Sequence, residues 1–354
     1  MKLEALEPPT IFSNSVNYSQ PQKILLVRFS SMGDIVFATT AVEAIVKKFP
    51  DCKIHFLTLD IYSPLLEAHP FLSRLILLRK GKNERKRLKS LAAALNLENY
   101  DLAFDLHDSL RSKYLRSSMK SVSWQVLRKP RWKRFFQFYF HYNLFTPHYD
   151  PVLNFLGNYE FTDDIFPVLY ITHEEKLHTQ ELLIQSGVQE RFVALVPSAA
   201  WDNKIWPVEN YKTLVDQIFH EINRTVVILG GLKDEICRKI SDGMNGIVNL
   251  QGKTDLRTAL AILSLTDVAI GSDTGLLHAA EALGTPIILL SGPTGDYTGG
   301  KVRRKESFLL RSQQWCQPCS KSGIRPCYRK ERYCLTGINT EKVWSSIKQT
   351  IAIS

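Results

Sequence analysis

Apolar and polar positions alternate along most of the chain between two patterns, short apolar runs and longer amphipathic segments. The apolar runs predict strands, which fall at 23–28, 53–58, 74–78, 101–105, 120–123, 192–196, 225–229, 247–249, 267–270 and 286–290. The amphipathic segments predict helices, at 36–48, 84–97, 174–185, 209–221, 235–242, 256–263, 274–283 and 340–351. Because strands that alternate with helices are typical of parallel sheets, the predicted fold class is α/β.

The strands form two series, which predicts two doubly wound, Rossmann-like domains facing a central cleft. The predicted boundaries are an N-terminal extension at 1–22, a first domain at 23–170, a second domain at 171–335 and a C-terminal helical segment at 336–354. One interpretation of the last helix is that it crosses back to the first domain. Ligands of such folds bind at the carboxyl ends of the strands, so the loops after the strands are the candidate sites.

Composition limits the class of protein. The length of 354 residues fits two domains, and 44% hydrophobic residues allow ordinary cores. No run of about 18 apolar residues occurs, which argues against a transmembrane helix. The first 22 residues lack the basic region and apolar core of a signal peptide. The expected compartment is therefore the cytoplasm.

The net charge of +10 is concentrated in one stretch. Residues 109–149 contain nine Lys or Arg, no Asp or Glu, and the aromatic-rich sequence "WQVLRKPRWKRFFQFYFHYNLF". A surface of this kind can meet an anionic partner, and nucleic acid, an anionic membrane and a phosphorylated glycolipid all fit. A solvated basic face with some inward-facing aromatics is the alternative. No recognisable nucleic-acid-binding module accompanies the stretch, which weakens the first of these interpretations.

The segment "SDTG", residues 272–275, follows a predicted strand and begins a helix. Free backbone N–H groups and the helix dipole favour an anion there, and Gly275 allows close approach to the backbone. A second glycine-bearing loop, "SGPTGD", ends the next strand. Two such loops side by side predict a nucleotide diphosphate site. The alternative is that Ser272 or Asp273 only caps the helix.

Two further loops of the second domain carry candidate donor-binding residues. The loop "VPSAAWDNKIWP" contains Ser198 and Lys204, and a lysine beside a phosphate site can neutralise charge on a leaving diphosphate. An ordinary exposed lysine is the alternative. After the strand at 225–229, Asp234 and Glu235 open a helix, where an acid can accept hydrogen bonds from ribose hydroxyls or simply complement the helix dipole.

The first strand ends in "SSMGD", residues 30–34, and a helix follows. This turn lacks the glycines of a dinucleotide site and has an acid, Asp34, where a phosphate would sit. Together with "KIWP" and "SDTGLLHAAEALGTP", it resembles the ADP-heptose:lipopolysaccharide heptosyltransferases of glycosyltransferase family 9. The resemblance covers roughly residues 23–351. It implies a GT-B fold and inverting transfer of L-glycero-D-manno-heptose from ADP-heptose to the lipopolysaccharide inner core, onto Kdo-lipid A or a first heptose.

The resemblance also implies roles for individual residues. Asp34 corresponds to the proposed general base, and Lys204 to the lysine that contacts the donor phosphates. The remaining donor-side positions are Ser198, Glu235, Asp273, Thr274, Gly275, Leu276 and His278. The acceptor-side positions are Ser31, Met32, Gly33, Arg111, Lys113, Arg128, Arg131 and Lys133. The basic aromatic stretch is expected to meet the cytoplasmic face of the inner membrane. No cofactor is expected to be needed for catalysis, and no nucleic-acid partner is expected.

Four cysteines lie close together near the C-terminus, with the spacing C-x₂-C-x₇-C-x₆-C, at Cys316, Cys319, Cys327 and Cys334. In a cytosolic protein this pattern favours a metal site over disulfides, and four thiolates suit structural zinc or iron. Reduced cysteines packed in a loop are the alternative. Three other functions remain open: a transferase of the same fold with another nucleotide sugar or acceptor, a nucleotide-sugar-binding regulator, and a nucleic-acid-binding protein.

Overall fold

The computed structural model describes residues 20–146, 149–158, 161, 165–188, 191–295 and 300–353. These residues form two parallel sheets. The first sheet has the order β3-β2-β1-β4-β5, with strands β1 (Lys23–Val27), β2 (Lys53–Leu59), β3 (Leu72–Leu78), β4 (Leu102–Asp105) and β5 (Ser123–Val126). The second has the order β11-β10-β9-β6-β7-β8, with β6 (Phe192–Val196), β7 (Thr225–Ile228), β8 (Ile247–Asn249), β9 (Val268–Ser272), β10 (Ile287–Leu290) and β11 (Phe308–Leu310). The predicted α/β class is confirmed.

Helices connect the strands and cover the sheets. They are α1 (Met32–Lys48), α2 (Glu84–Asn96), α3 (Leu110–Ser118), α4 (Arg131–Phe140), α5 (Pro151–Gly157), α6 (His173–Gln185), α7 (Val208–Ile222), α8 (Glu235–Ser241), α9 (Leu256–Leu265), α10 (Gly275–Ala282), α11 (Tyr333–Thr336) and α12 (Thr340–Ile353). Two short 3₁₀ helices span Asp60–Leu65 and Asp202–Lys204. None of the described helices is long and apolar enough to cross a membrane.

The structure differs from the sequence prediction mainly between residues 105 and 160. Strand β5 begins at Ser123, three residues after the predicted start, and α3, α4 and α5 were not predicted. The missed helix α4, "RWKRFFQFYF", shows the reason, because six of its ten residues are aromatic and only Gln137 is buried. Aromatic residues favour strands over helices, and little of this helix packs in the core, so its composition gives a weak local signal for a helix.

The C-terminal helix α12 packs on the second sheet. Val343 and Ile347 are fully buried in the core around β6, β7 and β9, and Trp344 donates a hydrogen bond to Glu221 of α7 (3.1 Å). The helix contacts α7, β9 and β10. It therefore closes the core of the second sheet, and none of these contacts involves the first sheet.

The two sheets are joined where α1 meets α10. Buried residues of α1 share one apolar cluster with Ala279 and Ala282 of α10. At the N-terminal ends the two backbones approach each other so closely that a Cβ added to Gly275 would lie 2.7 Å from the Gly33 nitrogen. Since only glycine fits at Gly275, the contact fixes the first turns of both helices side by side.

Candidate active site

A cavity of about 430 Å³ lies between the sheets, at the carboxyl ends of β1, β4, β6 and β9. β1 and β4 are neighbours in the first sheet, and β6 and β9 are neighbours in the second. On either side of each pair, the strand order runs in opposite directions. Doubly wound sheets bind ligands at this switch point. The lining includes nine of the predicted site residues, namely Ser31, Gly33, Asp34, Arg128, Lys204, Asp273, Thr274, Gly275 and His278.

Asp34 lies in the first turn of α1 with 43% of its side chain exposed. Its Oδ2 atom accepts hydrogen bonds from the backbone nitrogen (3.0 Å) and hydroxyl (2.8 Å) of Ser31 and lies 2.7 Å from the Arg28 guanidinium. Desolvation raises the pKa of Asp34, but the Arg28 charge and the Ser31 hydrogen bonds outweigh it and lower the pKa to about 2. The carboxylate is therefore ionised at neutral pH, and its contacts use Oδ2 while Oδ1 remains available.

Asp273 is the centre of a buried hydrogen-bond network. Its Oδ2 accepts from Lys204 Nζ (2.7 Å) and Thr294 Oγ1 (2.7 Å), and its Oδ1 lies 2.9 Å from His278 Nε2. Only 8% of the Asp273 side chain is exposed. Burial raises the pKa of Asp273, but the bonds from His278 and the Lys204 charge outweigh it and hold the pKa well below its usual range. Asp273 thus fixes the neighbouring polar groups of the cavity, and Lys204 is held by an ion pair.

The N-terminus of α10 faces the same cavity. Thr274 is the N-cap residue, and its hydroxyl accepts from the Leu277 nitrogen (3.4 Å). The sequence alternative of a helix cap by Ser272 or Asp273 therefore does not apply, since Ser272 Oγ donates to the Pro197 carbonyl instead. The first backbone N–H groups of the helix have no intrahelical acceptor and carry the positive end of the dipole. They lie on the same cavity as Lys204, an arrangement that favours an anion.

Cations dominate the lining of the cavity. Three carboxylates, Asp34, Asp150 and Asp273, face seven cations, which are Arg28, Arg128, Lys129, Arg134, Lys204, Arg303 and Lys321. The Arg303 guanidinium lies over the Phe37 ring, 3.9 Å from its centroid, and donates to Asp150 (2.9 Å). The excess of positive charge, focused in a concave site, favours a ligand with several negative charges.

His107, which follows β4, was not predicted as a site residue. Its Nδ1 accepts a hydrogen bond from the Phe29 nitrogen (3.1 Å), which leaves the ring proton on Nε2. Burial, together with the Arg28 and Lys129 charges, lowers its pKa to about 3. A neutral imidazole at the cavity wall provides a fixed N–H donor.

Eight predicted site residues do not line the cavity: Met32, Arg111, Lys113, Arg131, Lys133, Ser198, Glu235 and Leu276. Glu235 is 75% exposed and pairs with Lys239 on α8 (3.6 Å). Arg111 pairs with Glu84 (2.6 Å), between α3 and α2. Their proposed roles in ligand binding stay predictions.

The cavity also contains Arg28, Lys129, Arg303 and Lys321, none of which was predicted as a binding residue. Arg28 stands two residues before the recognised turn at 30–34, and sequence spacing could have suggested its pairing with Asp34. Arg303 and Lys321 come from loops far away in the sequence. No local pattern links them to the site.

The four clustered cysteines belong to a loop-rich stretch, residues 315–334, which we call the cysteine segment. All four line one small cavity of about 20 Å³, and all are free thiols. Burial raises the pKa of Cys334 to about 11 and also raises that of Cys319. Across the part of the chain that the structure describes, no group of three or more His, Cys, Asp or Glu residues is arranged to hold a metal ion.

Comparison with known proteins adds a family assignment to this geometry. Residues 88–326 match the family model described as Glycosyltransferase family 9 (heptosyltransferase). The lipopolysaccharide heptosyltransferase 1 of Campylobacter coli is 22% identical over 353 residues, which cover 92% of this chain and 98% of that protein.

Solved structures are similar over almost the whole length. A glycosyl transferase family 9 protein from Veillonella parvula has a TM-score of 0.76 at 20% identity, covering 94% of this chain and 98% of that one. Escherichia coli ADP-heptose lps heptosyltransferase II has a TM-score of 0.71 at 20% identity, covering 94% of this chain and 99% of that one. These similarities confirm the predicted architecture of two facing α/β sheets.

Proposed function

This chain belongs to glycosyltransferase family 9 and is a glycosyltransferase, and we propose that it moves L-glycero-D-manno-heptose from ADP-heptose to the inner core of lipopolysaccharide. The family is one of heptosyltransferases, and the Escherichia coli protein of similar fold is an ADP-heptose lps heptosyltransferase. The observation that carries the proposal is the juxtaposition at Gly33 and Gly275. It brings the Asp34 carboxylate and the N-terminus of α10, at Thr274, to one cavity.

The proposed reaction is a single displacement with inversion at the anomeric carbon. An acceptor hydroxyl oxygen forms the new bond to that carbon as the bond to the diphosphate oxygen breaks. Asp34 takes the hydroxyl proton, and its Oδ1 is suited to this because the Arg28 and Ser31 contacts use Oδ2. A positioned base typically contributes about 10²–10⁴-fold to the rate.

The departing ADP carries the electron pair of the broken bond. The backbone N–H groups after Thr274, the dipole of α10 and the Lys204 ammonium are positioned to stabilise this charge. Lys204 keeps its orientation because Asp273 accepts from its Nζ at both the side chain (2.7 Å) and the carbonyl (3.0 Å). The proposed step uses these groups, and no metal ion enters it.

The acceptor is proposed to be a lipopolysaccharide precursor at the cytoplasmic face of the inner membrane, with which the protein associates peripherally. Helix α4 supports this, because Trp132 is 77% exposed and Phe140 64% exposed on a helix that also carries Arg131 and Lys133. Interfacial aromatics and basic side chains are the groups that bind anionic lipid surfaces. Sedimentation with vesicles containing anionic lipid tests this: wild type should co-sediment, and the doubly substituted Trp132→Glu, Phe140→Glu protein should not.

The proposed donor and acceptor are tested together by following ADP release. The protein is incubated with ADP-heptose and either Kdo-lipid A or a precursor that already carries the first heptose. Acceptor-dependent ADP release with one of them supports the proposal. Release only with a different nucleotide sugar would instead establish a transferase of the same fold with another donor.

The four cysteines of the cysteine segment give a separate prediction, structural zinc or iron. The described geometry does not fit a preassembled metal site, although all four thiols share one cavity. We therefore derive no step from a metal. Elemental analysis of purified protein decides the matter: about one equivalent of zinc or iron would support the prediction, and metal-free folded protein would contradict it.

A further inference from the structure

The cysteine segment is attached to the loops that hold the donor-side lysine. The nitrogens of Cys319 and Ser320 both donate to the Pro293 carbonyl (3.1 Å each). The Asn203 amide, next to Lys204, donates to the carbonyls of Gly323 (3.1 Å) and Arg325 (2.7 Å). These bonds tie the segment to the second sheet at the rim of the cavity.

A glycine lets the segment pass directly over Lys204. Gly323 has φ +86°, and a Cβ there would lie 2.9 Å from Lys204 Cγ. Both the backbone conformation and the close approach therefore favour glycine. The turn at Gly323 determines where the two preceding residues lie.

The same segment also reaches the first half of the molecule. The Arg325 guanidinium lies over the Tyr139 ring of α4, 4.5 Å from its centroid, and the Trp315 ring is 5.6 Å from the His141 ring. The segment thus spans the cavity from the Lys204 loop to the basic aromatic helix. Residues between these two attachments, Lys321 and Ser322, line the cavity itself.

Lys321 lies among charges of the first half. Its side chain is exposed at the cavity. Its pKa is lowered by partial desolvation there and by the neighbouring Arg134 and Arg28 charges, and the nearby Asp34 partly opposes this. Lys129, also at the cavity, has its pKa lowered by burial and by the Arg28 and Lys321 charges, with Asp108 and Asp34 partly opposing this, and its Nζ donates to the Asp108 carbonyl (3.1 Å). Within the ranges that the structure describes, no carboxylate lies within 4 Å of the Lys321 ammonium. The cations therefore repel one another across an open space, which an anion would relieve.

We propose that Lys321, together with Arg128, Lys129 and Arg134 on the opposite wall, forms a subsite for an anionic group of the acceptor. The group is a carboxylate or phosphate on the sugar that receives the transfer. The inference rests on the proposed function, because it deepens the acceptor side of the same cavity. The donor diphosphate has its own partners at Thr274 and Lys204, whereas the charges around Lys321 are those next to Asp34. The cysteine segment is accordingly a part of the acceptor site.

The test compares Lys321→Gln with Lys330→Gln, an exposed lysine of the same segment that does not line the cavity. Calorimetry measures binding of a deacylated inner-core precursor, of its dephosphorylated form and of its carboxyl-reduced form. Steady-state ADP release gives the KM values for acceptor and donor. Lys321→Gln is expected to bind the precursor about tenfold or more weakly, because a charged hydrogen bond is lost, with the donor KM unchanged. Lys330→Gln should behave as wild type.

The three probes identify the anion. If it is a phosphate, Lys321→Gln and wild type bind the dephosphorylated form equally, and if it is a carboxylate, they bind the carboxyl-reduced form equally. Equal binding of the intact precursor by wild type and Lys321→Gln overturns the inference. A rise in the donor KM equal to the rise in the acceptor KM overturns it as well. If wild type binds the precursor tightly and Lys321→Gln weakly, but no ADP is released from ADP-heptose, the proposed donor fails and the subsite stands. If wild type binds no precursor, both fail.

Discussion

The substitution Asp273→Asn removes the charge at the centre of the buried network while keeping the shape of the side chain. The carboxylate accepts from Lys204, Thr294 and His278 at 2.7–2.9 Å, and the exposed fractions are 8% for Asp273 and 14% for Lys204. An asparagine keeps one acceptor oxygen, so one side of the network meets an amide NH₂ group instead. The buried ammonium also loses its counter-ion.

The magnitude follows from these contacts. Breaking a buried ion pair costs about 3–5 kcal/mol, and because the amide oxygen can still accept from Lys204 we expect a loss of about 2–4 kcal/mol in unfolding free energy. At about 2–4 °C per kcal/mol, Tm should fall by about 5–15 °C. Asp255→Asn is the matched control: Asp255 caps α9 by accepting from the Thr258 nitrogen (2.7 Å), and asparagine caps helices equally well.

The pH dependence gives this prediction a second readout. The pKa of Asp273 is lowered in the folded state, so its stabilisation is present above the unfolded value of 3.8 and is lost as the pH falls below it. The stability difference between wild type and Asp273→Asn should therefore shrink at acid pH. Thermal unfolding followed by circular dichroism measures both effects. A loss of less than about 1 kcal/mol, or a loss equal to that of Asp255→Asn, would refute the central role of Asp273.

Two further predictions concern the first turns of α1 and α10. Arg28→Gln should move the acid limb of the kcat/KM profile up by about one to three pH units. The substitution removes the charge that lowers the pKa of Asp34 to about 2, whereas desolvation still raises that pKa. An unchanged acid limb would mean that Arg28 does not control the pKa of Asp34. Gly275→Ala places a Cβ 2.7 Å from the Gly33 nitrogen and should cost about 1–3 kcal/mol in unfolding free energy as well as most of the activity. Gly157→Ala, where the added Cβ meets open space, should change neither. Equal behaviour of the two variants would contradict the close approach of the helices.

Much of the fold could be predicted from the sequence because most elements carry a strong local pattern. The strands around β1, β6 and β9 are continuous apolar runs, and each is followed by a polar loop. Parallel strands bring such loops to one sheet edge, which is why Asp34, Lys204 and Thr274 lie on one cavity, as a site built from those loops requires. The strand and helix patterns did not predict that the Asp34 carboxylate accepts hydrogen bonds from Ser31.

The remainder of the site depends on tertiary contacts that no local pattern encodes. Lys321 reaches the cavity only because the cysteine segment turns at Gly323 and packs between Asn203 and Tyr139. Arg303 is positioned by its contacts with Phe37 and Asp150, more than a hundred residues away. By contrast, Glu235 lies at the predicted helix start, but its side chain points to solvent.

The central claim is that Asp34 takes the acceptor proton during transfer from ADP-heptose. Its most direct test is the single-turnover rate of ADP release by wild type and Asp34→Asn, with ADP affinity measured in parallel. ADP should bind both proteins alike, since the proposed donor site is at Thr274 and Lys204, while the rate should fall by about 10²–10⁴-fold in the variant. A near-normal rate in Asp34→Asn would mean that Asp34 is not the base and has only its structural contacts to Ser31 and Arg28.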